Sequence, residues 1–286
     1  MKGIVIKLIS GDYTVRTKEE EFICKGRGVF RHQEQEIIVG DTVEIDSTTK
    51  TIIKVLPRKN RLARPSVSNV DKVFLVFSVK EPDLNFNLLD RLISYYEYLN
   101  LEIIIIFTKM DLLLDNQYQE SFDYYQNLGY QIFKTSIEES KKEEILKQFD
   151  NSISVLSGQS GVGKSSLLNA IGKNLNIKTD KISYALNRGK HTTRHVELLE
   201  ISKGLVADTP GFGTIDFEEI SEATLSQTFI EFFKRSSDCR FNSCLHINEP
   251  GCAVIEDVKN NKILESRYNN YLSFIKEIRE IKKYKY

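Results

Sequence analysis

Gly158-Gln159-Ser160-Gly161-Val162-Gly163-Lys164-Ser165 decides how this chain is read. The stretch has the GxxxxGKS spacing of a phosphate-binding loop. Glycines admit backbone conformations and a close approach that a Cβ would block. The N–H groups at the start of the following helix cradle phosphate oxygens. In that arrangement Lys164 reaches the β- and γ-phosphates and Ser165 ligates Mg²⁺, with contacts extending to Ser166. A β-rich run, Ser152–Leu156, precedes the loop and a helical run, Lys164–Ile171, follows it, as the motif requires. An innocent glycine-rich turn would need neither flank.

A second nucleotide element lies upstream. Thr108-Lys109-Met110-Asp111 closes the apolar run Glu102–Phe107. An Asp carboxylate accepts two hydrogen bonds from the guanine N1–H and N2 amine, a pair that adenine cannot offer. The Lys109 stem is expected to pack over the base. Many GTPases carry Asn where this chain has Thr108, a change that touches loop contacts and spares Asp111. Thr135-Ser136, ending the next strand, would supply backbone N–H groups to the guanine oxygen. In an ordinary small GTPase the guanine element follows the phosphate loop. Here it precedes it, and the inversion reads as a circular permutation of that fold.

Downstream, Asp208-Thr209-Pro210-Gly211 follows the apolar Leu205–Ala207. Asp208 is thus expected at a strand's C-terminal end, where ligands sit in α/β sheets. Its carboxylate would hold Mg²⁺ through water, and the Gly211 N–H would contact the γ-phosphate. Between the two elements, Asn187-Arg188-Gly189-Lys190-His191-Thr192-Thr193-Arg194 is where a switch loop must lie. Thr193, or its neighbour Thr192, is the expected Mg²⁺ and γ-phosphate ligand; a plain solvated loop is the blander alternative.

Around these motifs the chain divides into three domains. Residues 1–65 are short β-runs, Gly3–Ile9, Tyr13–Thr17, Phe22–Lys25, Ile37–Val39, Thr42–Ile45 and Lys50–Val55, separated by polar turns. They suggest a small barrel of the OB-fold type. Pro57 and Pro65 bracket a basic stretch, Arg58–Arg64, that reads as a linker. Residues 66–218 alternate strands and helices, the texture of a parallel α/β sheet. Six strands are expected: Val73–Ser78, Glu102–Phe107, Gln131–Lys134, Ser152–Leu156, His195–Glu200 and Leu205–Ala207. Helices are expected over Asn87–Leu99 and Asn116–Leu128. Residues 219–286 are expected to be helical around a Cys/His knot.

That knot is Cys239, Cys244, His246 and Cys252. Three thiolates and one imidazole suit a closed tetrahedral site for one structural Zn²⁺; buried free thiols or a disulfide are the alternatives. Cys24 reads as barrel core. The amino-terminal MKGIVIKLISGD alternates like a strand and lacks the apolar core of a signal peptide. The longest uninterrupted apolar run, Ile103–Phe107, is too short for a bilayer. Together with the cysteine usage this points to the cytosol, with no membrane partner.

The chain holds 40 Lys or Arg and 40 Asp or Glu, so any nucleic-acid surface must be local. On the barrel, Lys25, Arg27 and Arg31 flank Phe30, a grouping that can stack on and neutralise RNA; ordinary solvated surface is the equal alternative. The basic tail helix places Tyr268, Tyr271, Leu272, Ile275 and Ile278 on one stripe, which fits a buried face better than an RNA platform.

Taken together, the barrel, TKMD, TS, GQSGVGKSS, GKHTTR, DTPGF and the Cys/His knot, in that order, resemble the ribosome small-subunit-dependent GTPase A family of bacterial circularly permuted GTPases. The resemblance covers essentially the whole chain. It implies GTP and GDP as ligands and the small ribosomal subunit and its rRNA as partner. It also implies a late role in subunit maturation, with hydrolysis stimulated by that subunit. A monomer is expected. Two consequences follow from the residues themselves. Permutation makes Phe212–Glu219 lead from the second switch into the Cys/His segment, so nucleotide state would tilt that segment as a rigid unit. And Phe212 stands where many GTPases have a water-orienting Gln, so intrinsic hydrolysis should be slow. His191 is the candidate to orient water instead, because an imidazole does so and titrates near neutrality.

Overall fold

The computed structural model describes residues 1–26, 36–63, 65–114, 116–136, 141–172, 196–208, 215 and 217–284. These group into two compact units, residues 1–76 with 138–213, and 77–137 with 214–286.

The first unit begins with a barrel. Its strands are β1 (Lys2–Ile9), β2 (Asp12–Arg16), β3 (Glu21–Gly26), β4 (Thr42–Asp46) and β5 (Thr51–Val55). They pair in the closed circuit β1-β2-β3-β5-β4-β1, with β3 parallel to β5 and the other pairs antiparallel. Period-two alternation turns Val43 and Ile45 of β4 inward. Val5, Val15, Cys24, Ile37, Ile52 and Val55 complete that core. Cys24 is therefore the core thiol that its sequence context suggests. A register shift between Val5 and Lys7 bends β1, as bulges do. Beyond the shift, β1 leaves β4 and pairs antiparallel with β12 (Glu197–Ile201), Lys7 opposite Glu197.

Ile37–Val39, expected as a strand, makes only an isolated bridge from Val39 to Val67. The stretch expected as a linker is also different. It contributes β6 (Arg61–Leu62), which pairs with β7 (Val67–Ser68) just beyond it. Arg58 reaches back to the fully buried Asp41, with Nε–Oδ1 at 2.6 Å and Nη2–Oδ2 at 2.8 Å. Asp41 also accepts the Ser68 hydroxyl at 2.6 Å and the Ile38 N–H at 2.9 Å. A buried carboxylate needs such saturation, and Arg58 supplies the countercharge.

The same unit holds β8 (Lys72–Ser78, its last two residues lying in the second unit), β11 (Ile153–Ser157) and β13 (Gly204–Asp208). β8, β11 and β13 are parallel neighbours, and β12 adds antiparallel to β13. All five residues of β11 are buried, the continuous apolar run typical of a parallel sheet covered on both faces. Phe74 stacks on Phe149 with ring centres 4.0 Å apart.

The second unit contains α1 (Phe86–Tyr98), β9 (Glu102–Thr108), α2 (Gln119–Leu128) and β10 (Gln131–Lys134), with β9 and β10 parallel. Back in the first unit, α3 (Lys142–Lys147) precedes β11, and α4 (Lys164–Ile171) follows it. The C-terminal part of the second unit adds α5 (Glu222–Thr228), α6 (Ile230–Arg235), α7 (Ala253–Lys259) and α8 (Glu265–Tyr284). Asn85 and Ser221 cap α1 and α5, accepting N–H groups at 3.0 Å. Tyr271, Ile275 and Ile278 of α8 are buried against Phe229, Phe232 and Leu225, with Tyr268 and Leu272 half-covered beside them. That is the stripe read from the sequence.

At the centre of this unit lies a charged network. Arg267 of α8 and Asp90 of α1 are both fully buried and paired, and Arg267 also pairs with Glu231 of α6. Tyr125 donates to Asp90 Oδ1 and Asn270 to Oδ2, each at 2.7 Å. The Arg267 guanidinium lies 4.6 Å from the Phe229 ring centre and 5.4 Å from that of Tyr125. Burial raises the Asp90 carboxyl above its ordinary range, against the pull of Arg267 and its hydrogen bonds.

Candidate functional site

The phosphate loop leaves the end of β11 and enters α4. Gly158, Gly161 and Gly163 have φ of 145°, 81° and 93°, conformations that side chains with a Cβ resist. At Gly158 an added Cβ would fall on the Val76 carbonyl oxygen, so the loop packs backbone on backbone there. Val162 is fully buried and pins the loop, whereas Ser160 and Gly161 are exposed. Gln159, Lys164 and Ser165 are half-buried, and Ser166 is exposed. Lys164 Nζ donates to the Gly158 and Gln159 carbonyls at 2.8 and 2.5 Å. Burial lowers its ammonium to about 8.

β13 ends at Asp208 beside β11, with Ala207 in register with Val155. The phosphate loop and the Asp208 segment therefore leave the same edge of the sheet, at the C-terminal ends of adjacent parallel strands. Ser165 and Asp208, the residues expected to hold Mg²⁺, thus follow from adjacent strands. The Asp208 side chain, Gly211, His191, Thr192 and Thr193 lie outside the described residues.

In the second unit, Thr108 is the last residue of β9 and is buried. Its hydroxyl donates to the Phe77 carbonyl at 3.3 Å, and its carbonyl accepts the Val79 N–H at 3.1 Å. Thr at this position thus still ties the strand end to the preceding segment. Lys109 takes a left-handed backbone, φ 57°, and its ammonium donates to the Glu81 carbonyl. The Met110 N–H donates to the Thr135 carbonyl at 3.1 Å, and the Thr135 N–H to Phe107 at 2.8 Å. Thr108–Asp111 and Thr135–Ser136 are thereby one hydrogen-bonded corner, with Asp111 exposed. The supporting carbonyls of Phe77 and Glu81 carry no sequence signal, because any residue type supplies a carbonyl.

The Cys239, Cys244, His246 and Cys252 donor atoms all lie within 4.8 Å of one another. Cys239 Sγ is 3.9 Å from Cys252 Sγ and 3.6 Å from His246 Nδ1, and His246 Nδ1 is 3.3 Å from Cys252 Sγ. Tetrahedral bonds of about 2.3 Å to sulfur and 2.0–2.1 Å to nitrogen place donors roughly 3.5–3.8 Å apart, so the set fits one tetrahedral ion. No disulfide joins the four cysteines in this structure. Burial pushes the Cys244 thiol up to about 12 and lowers the His246 imidazole; the neutral ring is the ligating form. His246 sits at φ 57°. Its turn is held from outside: Tyr268 donates to the His246 carbonyl at 2.9 Å and Tyr271 to the Leu245 carbonyl at 2.5 Å. Glu249 accepts the N–H groups of Leu245, Ile247 and Asn248 at 2.9, 2.7 and 3.0 Å. The sequence pattern flags the ligands, not these supports.

Of the candidate RNA residues, Lys25 is exposed at the end of β3 and paired with Asp12. Arg27, Phe30 and Arg31 lie outside the described residues. No helix among the described residues is long and apolar enough to cross a membrane.

Comparison with known proteins brings these features together. A family model described as RsgA GTPase matches residues 55–218, and one described as RsgA N-terminal domain matches residues 2–52. A Geobacillus protein named small ribosomal subunit biogenesis GTPase RsgA is 48% identical over 289 residues, covering 98% of each chain. A Bacillus cereus protein of the same name is 46% identical with the same coverage. Among solved structures, YloQ, a circularly permuted GTPase, is 37% identical with a TM-score of 0.82, covering 98% of this chain and 95% of that one. YjeQ from Thermotoga maritima is 38% identical with a TM-score of 0.83, covering 97% and 98%.

Proposed function

Since the chain belongs to the RsgA GTPase family, we propose that it binds the small ribosomal subunit with GTP late in maturation, hydrolyses the GTP to GDP and phosphate under stimulation by that subunit, and leaves. The observation that carries this reading is the order of the motifs, guanine element before phosphate loop, within a chain matched end to end by small-subunit biogenesis GTPases. The protein does this work in the cytosol, as a monomer.

The site residues take the following roles. N–H groups of Gly158–Ser166 hold the phosphates, with Lys164 on the β- and γ-oxygens. Asp111 reads the guanine edge, with Lys109 against the base and the Thr135-Ser136 amides on the guanine oxygen. Ser165, Thr193 and Asp208 would hold Mg²⁺, which neutralises charge on the phosphates when bound. The Gly211 N–H would contact the γ-phosphate. His191 orients the attacking water, because Phe212 cannot. Cys239, Cys244, His246 and Cys252 hold one structural Zn²⁺ and leave no open position for chemistry. Lys25, Arg27, Phe30 and Arg31 contribute to rRNA contact from the barrel.

The test is steady-state GTP hydrolysis with and without purified small ribosomal subunits, with Lys164→Ala as the blank. A slow basal rate rising by orders of magnitude is expected, and His191→Ala should lose the rise while still binding. A basal rate unmoved by subunits overturns the reading; full stimulated turnover in His191→Ala overturns its role.

Two further results are expected. Phosphate binding must raise the Lys164 pKa, so the free loop, with its ammonium near 8, takes up a proton with nucleotide above that pH. GDP affinity should be greatest below pH 8 and fall by up to about tenfold per pH unit above it. A fluorescence titration from pH 7 to 9 checks this, and the Lys164→Arg variant should lack the slope. Metal analysis should find one zinc per chain, and none in Cys252→Ser. Loss of the ion should lower the melting temperature by roughly 10 °C, since structural zinc binding is folding free energy.

A further inference from the structure

Arg91 of α1 does more than join two helices. Its guanidinium makes a two-pronged pair with Glu277 of α8, Nη1–Oε1 at 2.9 Å and Nη2–Oε2 at 2.5 Å. Nη1 also donates to the Ile215 carbonyl at 3.1 Å. The same group lies 4.8 Å from the ring centres of Phe217 and Phe274, both of them buried. A planar guanidinium can hold a carboxylate by its edge while its face covers aromatic rings, which an ammonium cannot do. Docking of α1 on α8 does not need this residue. Asp90 with Arg267 and Asn87 with Asn270 already join the two helices, inside the same unit. What Arg91 adds is a grip on Ile215 and Phe217.

Those two residues stand where the chain leaves its second switch. Ile215 is seven positions past Asp208, the end of β13, and Gly211 lies between them in sequence. Phe217 is sunk in the core of the C-terminal helices, and its carbonyl accepts the Ile220 N–H at 3.0 Å. We propose that Arg91 is a positioning residue for the GTPase reaction, fixing the downstream end of the second switch segment; this rests on the reading above that Gly211 meets the γ-phosphate. Ordering a chain segment costs conformational entropy for every residue held. A tether at Ile215 limits how many residues must be ordered when GTP binds. GDP, which lacks the γ-phosphate, makes no such demand. Arg91 therefore favours GTP over GDP, and by reciprocity GTP tightens the grip of Arg91 on Ile215.

The experiment measures the affinity of the full chain for GDP and for a non-hydrolysable GTP analogue. Arg91→Met keeps the apolar stem and removes every donor. It should weaken analogue binding about tenfold and leave GDP binding within about twofold, a coupling of ordinary size between two sites. Glu277→Gln removes the ion pair but spares the Ile215 hydrogen bond, so its ratio of analogue to GDP affinity should stay at the wild-type value. Arg91→Lys, with a point charge in place of the fork, should fall between the two. Equal losses for analogue and GDP in R91M, or the same altered ratio in R91M and E277Q, make Arg91 a tie between helices and overturn the proposal. Should R91M fold poorly, hydrogen exchange in the wild-type protein decides. The amides of Ile215 and Phe217 should be better protected with the analogue than with GDP, and equal protection overturns the proposal. Gly211→Ala tests the parent reading separately. An unchanged ratio there, with a changed one in R91M, refutes Gly211 as the γ-phosphate contact and keeps the tether.

Discussion

Replacing Arg267 with alanine is expected to destabilise the helical unit by about 3–5 kcal/mol, because it leaves buried carboxylates without their countercharge. Asp90 is fully enclosed, and Glu231 is nearly so. Neither has water to turn to once the guanidinium is gone. Asp90 keeps the Tyr125 hydroxyl and the Asn270 amide, but these neutral donors cannot replace a full charge in a low-dielectric site. The loss extends to packing, since the guanidinium also covers Phe229 and Tyr125. Thermal melts should show a drop of roughly 10 °C or more. The triple variant R267M/D90N/E231Q, which removes the charges together, should recover most of it. An R267A protein that melts with wild type would show that the three helices are held by their apolar faces alone.

Gly158→Ala should weaken GDP binding by about a hundredfold, which is roughly 3 kcal/mol, with little change in the melting of the second unit. The position has φ 145°, and an added Cβ would land on the Val76 carbonyl oxygen. The loop can relieve that only by lifting from β8, which pulls its N–H groups out of register with the phosphates. Gly163→Ala makes the useful contrast. Its φ is also positive, 93°, but an added Cβ there meets nothing within 4 Å. Backbone strain alone, about 1–2 kcal/mol, should cost about tenfold. Equal affinities in the two variants would mean that close approach to Val76 is not what shapes the loop. Isothermal titration with GDP measures both.

The central α/β strands β8, β9 and β11 were legible because strands buried on both faces are nearly continuous apolar runs. Ile103–Phe107 and Val73–Phe77 need no tertiary information to be recognised. The phosphate loop, the TKMD corner and the Cys/His ligands were legible because their chemistry fixes residue type and spacing together. What sequence alone hid were pairings across distance. Arg58 looks like one cation among several between two prolines, yet it is the partner of Asp41, seventeen residues away and fully buried. Arg267 disappears in the same way into the count of basic tail residues, although it is fully buried. No periodicity announces either partner. Ile37–Val39 failed for the opposite reason: three apolar residues suffice for a core contact without a ladder, and only Val39 finds a bridge. Lys142–Lys147 went unread as a helix because its single buried residue, Ile145, gives no pattern.

The seam between β1 and β12 also sets an order of events during synthesis. Lys7 and Glu197 are 190 positions apart. A nascent chain can close the five-stranded circuit once β5 has emerged, by about residue 55. The outer edge of β1 beyond Val5 then stays bare until β12 leaves the exit tunnel. At roughly 5–20 residues per second, that interval lasts on the order of ten seconds. An unpaired strand edge invites pairing with other chains, and here the exposed stretch carries Lys7, a charge of the kind that discourages such contacts. The salt bridge that Lys7 finally makes with Glu197 thus follows an earlier service, as a guard on an edge that the ribosome has not yet supplied with its partner.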